Sequence, residues 1–494
     1  MFFRRRGAGL AVLLSLCFML GCAAPVKPAA PLVGAASASS GQARTATPSV
    51  TPTSSPTFTP TVKPVARAFA MGAPALKPSP VPTAELPAAA ADYWPTAAWR
   101  TSTAEDQGMS SRQLASLLDT IQSESLAVHS VTVVRHGYIV LDAYWYPYRP
   151  GLKHELESCT KSVMSALTGI AIDRGYIHGV DSRVADLLAM QLPADTDPRK
   201  SDIALKHLLT MSSGLEWSGG GDKDSTSEME ASQDWPGYVL SQQPDSDPGP
   251  TWSYNNGAVH VLSAILQKAS GKTSLQLARE SLFGPLGITD VGWVSDPQGT
   301  TIGFGGLRLT PRDMAKLGLL YLRGGVWDGR QIVSRSWVQS STSLQMPSDW
   351  FTGYGYLWFM IGPGVYGAYG SGDQFIFVAP SRDLVVVFTG GMGSDTQGGL
   401  PPVRLLSDVI LPAIHSDGRL PADAAGSALL ADRIRAVAAQ PAATAPAPQP
   451  DVAASISGKI FALDGNDMGL KSITYSFTGG SEARVTLDVG KPMS

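Results

Sequence analysis

Apolar positions fall on two different periods along this chain. In SSRQLASLLDTIQS (110–123), Leu114, Leu117, Leu118 and Ile121 recur at three- and four-residue spacing behind Ser110, a residue suited to an N-cap. That pattern predicts an amphipathic helix. VTVVRHGYIVLDAYW (131–145) instead predicts a β-hairpin, two apolar strands flanking His136-Gly137. FIFVAPSRDLVVVFTG (375–390) predicts two more strands around a Pro-Ser-Arg-Asp turn. Helical stretches are expected at 202–210, 257–269 and 310–323, and a long apolar helix opens near Ser158. Strands near both ends with helices between them argue an α+β fold, an antiparallel sheet flanked by helices.

Composition sets the borders of that domain. Residues 23–92 are rich in Pro, Ala, Thr and Ser, which bury too little apolar surface to offset their ordering entropy. They are expected to form a disordered tether. The globular part is placed at 93–415, followed by an Ala/Pro-rich linker at 416–452. A β-rich C-terminal segment, 453–494, alternates like three short strands, which either dock on the main domain or belong to a fuller module. Residues 219–236, GGGDKDSTSEMEASQDWP, read as a long polar loop. At the N-terminus three arginines precede an apolar run from Leu10 to Leu20 and then Gly21-Cys22. Eleven residues are too few to span a bilayer, so residues 1–22 predict an export signal. The segment resembles a bacterial lipoprotein signal, which implies lipidation of Cys22, a membrane anchor and a place in the cell envelope.

Charge and cysteine content exclude several classes of function. With 38 basic and 41 acidic residues there is no basic field to grip nucleic acid. Seven scattered histidines and three cysteines give no cluster at metal-ligand spacing, so no metal and no cofactor are expected. If Cys17 and Cys22 are used by export, Cys159 remains alone and no intrachain disulfide is possible.

Three segments carry candidate chemistry. LESCTKSVMSALTGIAIDRG (156–175) holds Ser158 and Lys161, the single Ser-x-x-Lys in the chain. On a helix such residues share a face, and burial lowers a lysine pKa until the neutral amine can act as a base on the serine. Free N–H groups at a helix start can stabilise an oxyanion beside Ser158. TWSYNNGAVHVL contains Tyr254-Asn255-Asn256, a Tyr-x-Asn pattern in a chain with three asparagines. A tyrosine held near an ammonium is expected to have a lowered pKa and to shuttle a proton, and the amide of Asn256 to hold a substrate carbonyl. GAYGSGDQFIFVAP brings glycines to the approach of a strand, where the backbone can come close to a substrate and complete an oxyanion hole.

In this order the three segments resemble the serine β-lactamase and penicillin-binding protein superfamily, and most of all its class C-like serine hydrolases, including esterases and 6-aminohexanoate-dimer hydrolases. The likeness covers roughly residues 95–415 and includes HLLTMSSGLEW and GGLRLTPRDMAKLGLLYLRGGVWDGRQIVSRSWV. It implies a β-lactamase/transpeptidase-like α/β sandwich with an all-helical subdomain. It also implies Ser158 as acylated nucleophile, Lys161 as its partner, Tyr254 as general base and Asn256 as the third member of that motif. Gly370, Ser371 and Gly372 would line the substrate, with the Ser371 N–H in the oxyanion hole. The third family motif is commonly Lys-Thr-Gly, or His for the lysine, whereas Ala368-Tyr369-Gly370 stand here. Loss of that cation, which usually helps to bind a substrate carboxylate, favours small ester or amide substrates over β-lactams and D-Ala-D-Ala peptides. A β-lactamase or D-Ala-D-Ala carboxypeptidase is the alternative, and an envelope binding protein reusing the fold is the non-enzymatic one.

Overall fold

The computed structural model describes residues 93–189, 196–220, 223–392, 400–442, 450–465, 469–477 and 483–489. The signal and tether expected at 1–22 and 23–92, with Cys22, lie outside the described residues.

Helix α1 (Ser111–Ser123) buries Leu114, Leu117, Leu118 and Ile121, and Ser110 caps it by accepting the Gln113 N–H. Strands β1 (Val128–Arg135) and β2 (Tyr138–Tyr144) form the expected hairpin. Its two-residue turn places both His136 (φ 51°) and Gly137 (φ 84°) in the left-handed region, as hairpin turns of this length require. The remaining strands of the sheet are β3 (Gly353–Tyr354), β4 (Phe359–Gly362), β5 (Val365–Gly370), β6 (Gln374–Ala379) and β7 (Leu384–Gly390). Together they make a seven-stranded antiparallel sheet in the order β3-β4-β5-β6-β7-β1-β2. Every position of β6 and β7 is buried, so both faces of the sheet centre are covered.

Helix α2 (Thr160–Asp173) is buried at every position from Thr160 to Ala171 and packs against α3 (Asn256–Ser270). Around α3 gather the short helices Leu205–Leu209 and Trp235–Ser241, the helical layer of an α+β fold. Helix α4 (Pro311–Leu322) lies across β6, β7 and β1, and Gly318 makes the close approach possible: a Cβ there would stand 2.5 Å from a Val385 methyl. A small sheet pairs His154–Glu155 with Leu307–Leu309, and so fastens the chain just before Ser158 to the segment just after Phe304.

Two expectations need correction. Residues 219–236 are not one polar loop. The described part contains helix Ser225–Ala231 and the start of helix Trp235–Ser241, capped by Asp224 and Asp234, and buries Met229 and Trp235. Residues 416–452 are not simply a linker either. They contain helix α5 (Ala424–Ala438), packed on α1 and β2 through buried Leu430 and Val437 and tied by an Arg112–Asp423 ion pair. Alanine is the strongest helix former, so an Ala-rich stretch reads as linker only where Pro interrupts it. Strands Ile460–Ala462, Leu470–Phe477 and Ala483–Val489 form a separate three-stranded antiparallel sheet.

Candidate active site

Ser158 lies in a single 3₁₀ turn, Glu157–Cys159, that runs directly into α2. The turn is entered through Glu157, whose φ of 49° is unusual for a residue with a side chain. Such backbone is held in place only by strong surroundings, and it concentrates at functional sites. The surroundings here are β5 and the small sheet. A Cβ on Gly370 would fall 2.4 Å from the Leu156 carbonyl oxygen and 3.0 Å from the Ser158 nitrogen. Glycine at position 370 therefore lets the strand lie against the backbone of Ser158.

Lys161, one turn on, is only 2% exposed. Its Nζ donates to Ser158 Oγ (2.8 Å) and to the Phe304 carbonyl (3.0 Å). Burial dominates its titration and brings the pKa down to about 7, with partial opposition from the Glu157 carboxylate. Near neutrality much of this amine carries a free lone pair beside a serine hydroxyl. That is the arrangement of a base and a nucleophile.

Tyr254 stands over the same pair, its ring centroid 4.8 Å from Lys161 Nζ. Burial raises its pKa above the ordinary phenol range, while its hydrogen bond with Ser158 works the other way. The lowered pKa expected for this tyrosine is therefore incorrect. The amine that was to lower it is itself pushed toward neutrality, so desolvation wins and the phenol stays protonated. Asn255 caps α3 by accepting the Ala258 N–H (2.8 Å). Asn256 donates to Thr226 Oγ1 (3.2 Å), and its buried Oδ1 has no partner among the described residues. One of its two N–H donors is thus engaged by the 225–231 helix, and the second is left for a substrate carbonyl.

Ser371, Gly372 and Asp373 form the turn between β5 and β6, with Gly372 (φ 75°) and Asp373 (φ 65°) in the left-handed region. Gln374 fixes this turn. Its Nε2 donates to the carbonyls of Ser371 (2.9 Å) and Gly390 (2.7 Å), and its Oε1 accepts the Gly390 N–H (3.1 Å). Gly370 and Ser371 are thereby held beside the Ser158 turn, and Gly372 lies behind them against Gly390 and Gly391. Ala368, where the family commonly has a cation, is buried, and Tyr369 beside it stacks on Phe375 and meets Trp350 edge-on. Cys159 is buried, its thiol pKa raised by that burial and its Sγ directed at the Gln374 carbonyl, so it is no reactive thiol.

The structure thus brings Ser158, Lys161, Tyr254, Gly370 and Ser371 to one place from three separate segments. Sequence reasoning missed the Phe304 carbonyl, which is a backbone group, and Gln374, whose only trace was an amide following a glycine-rich turn. It also missed the positive φ of Glu157, which has no sequence signature.

Known proteins share this fold. A 6-aminohexanoate-dimer hydrolase of Paenarthrobacter ureafaciens is 24% identical over 234 residues, 44% of this chain and 57% of that protein. The chain thus spans little more than half the length of that relative. A penicillin-binding protein homologue from Caulobacter crescentus superposes with a TM-score of 0.51 at 16% identity, covering 63% of this chain and 99% of the other. EstCE1, a hydrolase with promiscuous acyltransferase activity, gives 0.51 at 16% identity, covering 62% of this chain and 99% of the other. At such identities these structures show a shared fold. The Beta-lactamase family profile matches residues 122–394, more than half of the sequence, and the chain belongs to that family, within the serine β-lactamase and penicillin-binding protein superfamily.

Proposed function

We propose that this protein hydrolyses small ester or amide bonds through a covalent acyl-enzyme on Ser158. The observation that carries the reading is the 2.8 Å contact between Ser158 Oγ and a buried lysine whose pKa is near 7. Neutral Lys161 takes the Ser158 proton as Oγ attacks the substrate carbonyl carbon. The oxygen of the tetrahedral intermediate faces the backbone N–H groups of Ser158 and Ser371, brought together by Gly370. Tyr254, protonated and adjacent, passes a proton to the departing alkoxide or amine, and Lys161 restores it. A water then attacks the acyl-enzyme by the reverse sequence, with Lys161 and Tyr254 taking its proton, and releases the acid and free Ser158.

Family membership alone leaves a β-lactamase or D-Ala-D-Ala carboxypeptidase open. Ala368 in place of a cation argues against both, since a methyl group gives a substrate carboxylate no counter-charge. A binding protein reusing the fold has no need of a buried amine against a serine, so the assembled pair argues against that too. Purified protein should label at Ser158 with a fluorophosphonate and turn over p-nitrophenyl acetate, and Ser158→Ala should do neither. Equal behaviour of the two proteins would remove the hydrolase reading, whereas fast nitrocefin turnover would redirect it to β-lactams. We also propose export and anchoring through lipidated Cys22, on the strength of residues 1–22. Cys22→Ala should then move the protein from the membrane fraction to the soluble fraction.

A further inference from the structure

A buried ionisable pair lies beside the site and has no part in the chemistry above. The side chains of His260 and Asp296 are both fully buried, with Nε2 and Oδ2 2.9 Å apart. Taking such groups out of water is costly, and well-packed apolar residues would often serve stability as well.

Asp296 organises the loop of residues 294–306. Its Oδ1 accepts the N–H groups of Gln298 (2.9 Å) and Thr300 (2.8 Å), and its own N–H donates to the Thr300 carbonyl (2.9 Å). Its Oδ2 is left to accept the His260 Nε2–H. Burial lowers the His260 pKa and the Asp296 carboxylate opposes the fall, so the ring is neutral at pH 7. His260 projects from α3 one turn beyond Asn256, and Ser263, a further turn on, donates to the Thr301 carbonyl (2.6 Å). A Cβ on Gly303 would stand 2.2 Å from the Val259 carbonyl oxygen, so the loop lies directly against α3 there. The next residue is Phe304, whose ring meets His260 edge-on at 6.3 Å.

The Phe304 carbonyl is the second partner of Lys161 Nζ, at 3.0 Å. A neutral amine has two N–H groups and one lone pair. A carbonyl that takes one N–H narrows where the lone pair points, and Ser158 Oγ stands 2.8 Å from Nζ. Helix α3 thus reaches the site twice. Tyr254 and Asn256 do so at its start, and His260 and Ser263 do so through the Phe304 loop.

We propose that His260 and Asp296 are positioning residues for the base, pinning the 296–304 loop to α3 so that the Phe304 carbonyl turns the Lys161 lone pair toward Ser158. The proposal rests on the hydrolase reading and adds to it a pair that acts only through Phe304.

The rate constant of fluorophosphonate labelling at Ser158, with kcat and KM on p-nitrophenyl acetate, tests this. A rate constant taken from the time course belongs to the folded molecules, whereas its amplitude counts them. Loss of stability alone therefore lowers only the amplitude. His260→Leu removes the Nε2 donor and should lower the labelling rate constant and kcat about 10²-fold, the scale of a misplacement of about 1 Å. KM should change less than about threefold, because the substrate's own contacts remain. His260→Gln, whose amide N–H can reach Asp296, should recover to within about fivefold of the wild type. Gly303→Ala, which lifts the loop off α3 beside Phe304, should fall as His260→Leu does. Leu430→Ala, destabilising through α5 instead, should keep the wild-type rate constant. If His260→Leu fails to fold, Gly303→Ala and Ser263→Ala decide, the latter with a smaller fall. Wild-type rate constants in every loop variant that folds overturn the positioning role alone, as does a His260→Gln protein as slow as the leucine variant. A wild-type protein that neither labels nor turns over the ester overturns the hydrolase reading and this one with it.

Discussion

Lys161 is the residue on which activity and stability pull in opposite directions. Its pKa falls from the ordinary lysine value to about 7 because the folded protein strips its water. The unfolded chain holds that proton up to about pH 10.4. Between those values the unfolded state binds more protons, so this group's contribution to stability rises with pH and is unfavourable at neutrality. Lys161→Met should therefore raise Tm at pH 7 while lowering kcat/KM at least about 10²-fold, the smaller end of what a positioned base supplies. The same protonation gives the wild-type kcat/KM profile an acid limb near pH 7. Lys161→Arg, charged at every accessible pH, should be inactive across the range. A limb near pH 5, or an active arginine variant, would show that another group is the base. Gly370→Ala is a second residue-scale case. Its Cβ meets backbone atoms at 2.4 and 3.0 Å, and these cannot swing aside as a side-chain tip can. Activity on p-nitrophenyl acetate should fall about 10²-fold, the scale of one lost oxyanion contact, with a smaller change in Tm. Ser158, Lys161 and Tyr254 were legible in the sequence because serine, amine and phenol must come as themselves. The protonation of Tyr254 was not, because it depends on how much water the fold removes.

The elements with a clear period were read well, and those defined by composition were not. Helix α1 and the β1–β2 hairpin came from the spacing of Leu114, Leu117, Leu118 and Ile121 and from His136-Gly137 between apolar runs. Helix α5 was overlooked because alanine neither marks a stripe nor stands out from the Ala/Pro-rich sequence around it. Yet α5 closes the domain: Leu430 is buried at its centre, and the Tyr146 N–H donates to the Val437 carbonyl across the edge of β2. Removing it uncovers α1 and that edge, and a buried leucine alone is worth about 2–5 kcal/mol when truncated to alanine. A chain ended after residue 415 should melt well below one ended after residue 442, and the latter should keep the proposed activity on p-nitrophenyl acetate. Identical melting of the two truncations, followed by calorimetry, would mean that α5 only decorates the surface. Leu430→Ala in the full chain should fall between them.

At the scale of the whole molecule the site depends on two sheets staying in register, and a histidine pair spans the gap between them. His129, at the start of β1 in the main sheet, has Nδ1 2.8 Å from Nε2 of His154 in the small sheet, four residues before Ser158. Tyr148 stacks on His129 at 3.9 Å. Protonating the pair is unfavourable, because each charge meets the low-dielectric surroundings and a second would also meet the first. Burial, then His154, push the His129 pKa down to about 4, and burial lowers that of His154 as well. The unfolded chain binds the His129 proton below about pH 6.5, and the folded protein does not until near pH 4. Protein stability should therefore be full above pH 6.5 and decline as pH falls through that window. Because His129 keeps some contact with solvent, its share is on the order of 2 kcal/mol rather than the larger figure the full shift implies. Urea midpoints at pH 7.5 and pH 5 should separate clearly for the wild type and converge for His129→Gln, whose amide has no proton to gain. The loss should reach the nucleophile too, because the strand that His154 anchors leads straight into the Ser158 turn. Fluorophosphonate labelling at pH 5 should then weaken beyond what protonation of Lys161 explains in the wild type, and the glutamine variant should recover that excess. A wild-type urea midpoint unmoved between pH 7.5 and pH 5 would mean that the two sheets are held together by their apolar contacts alone.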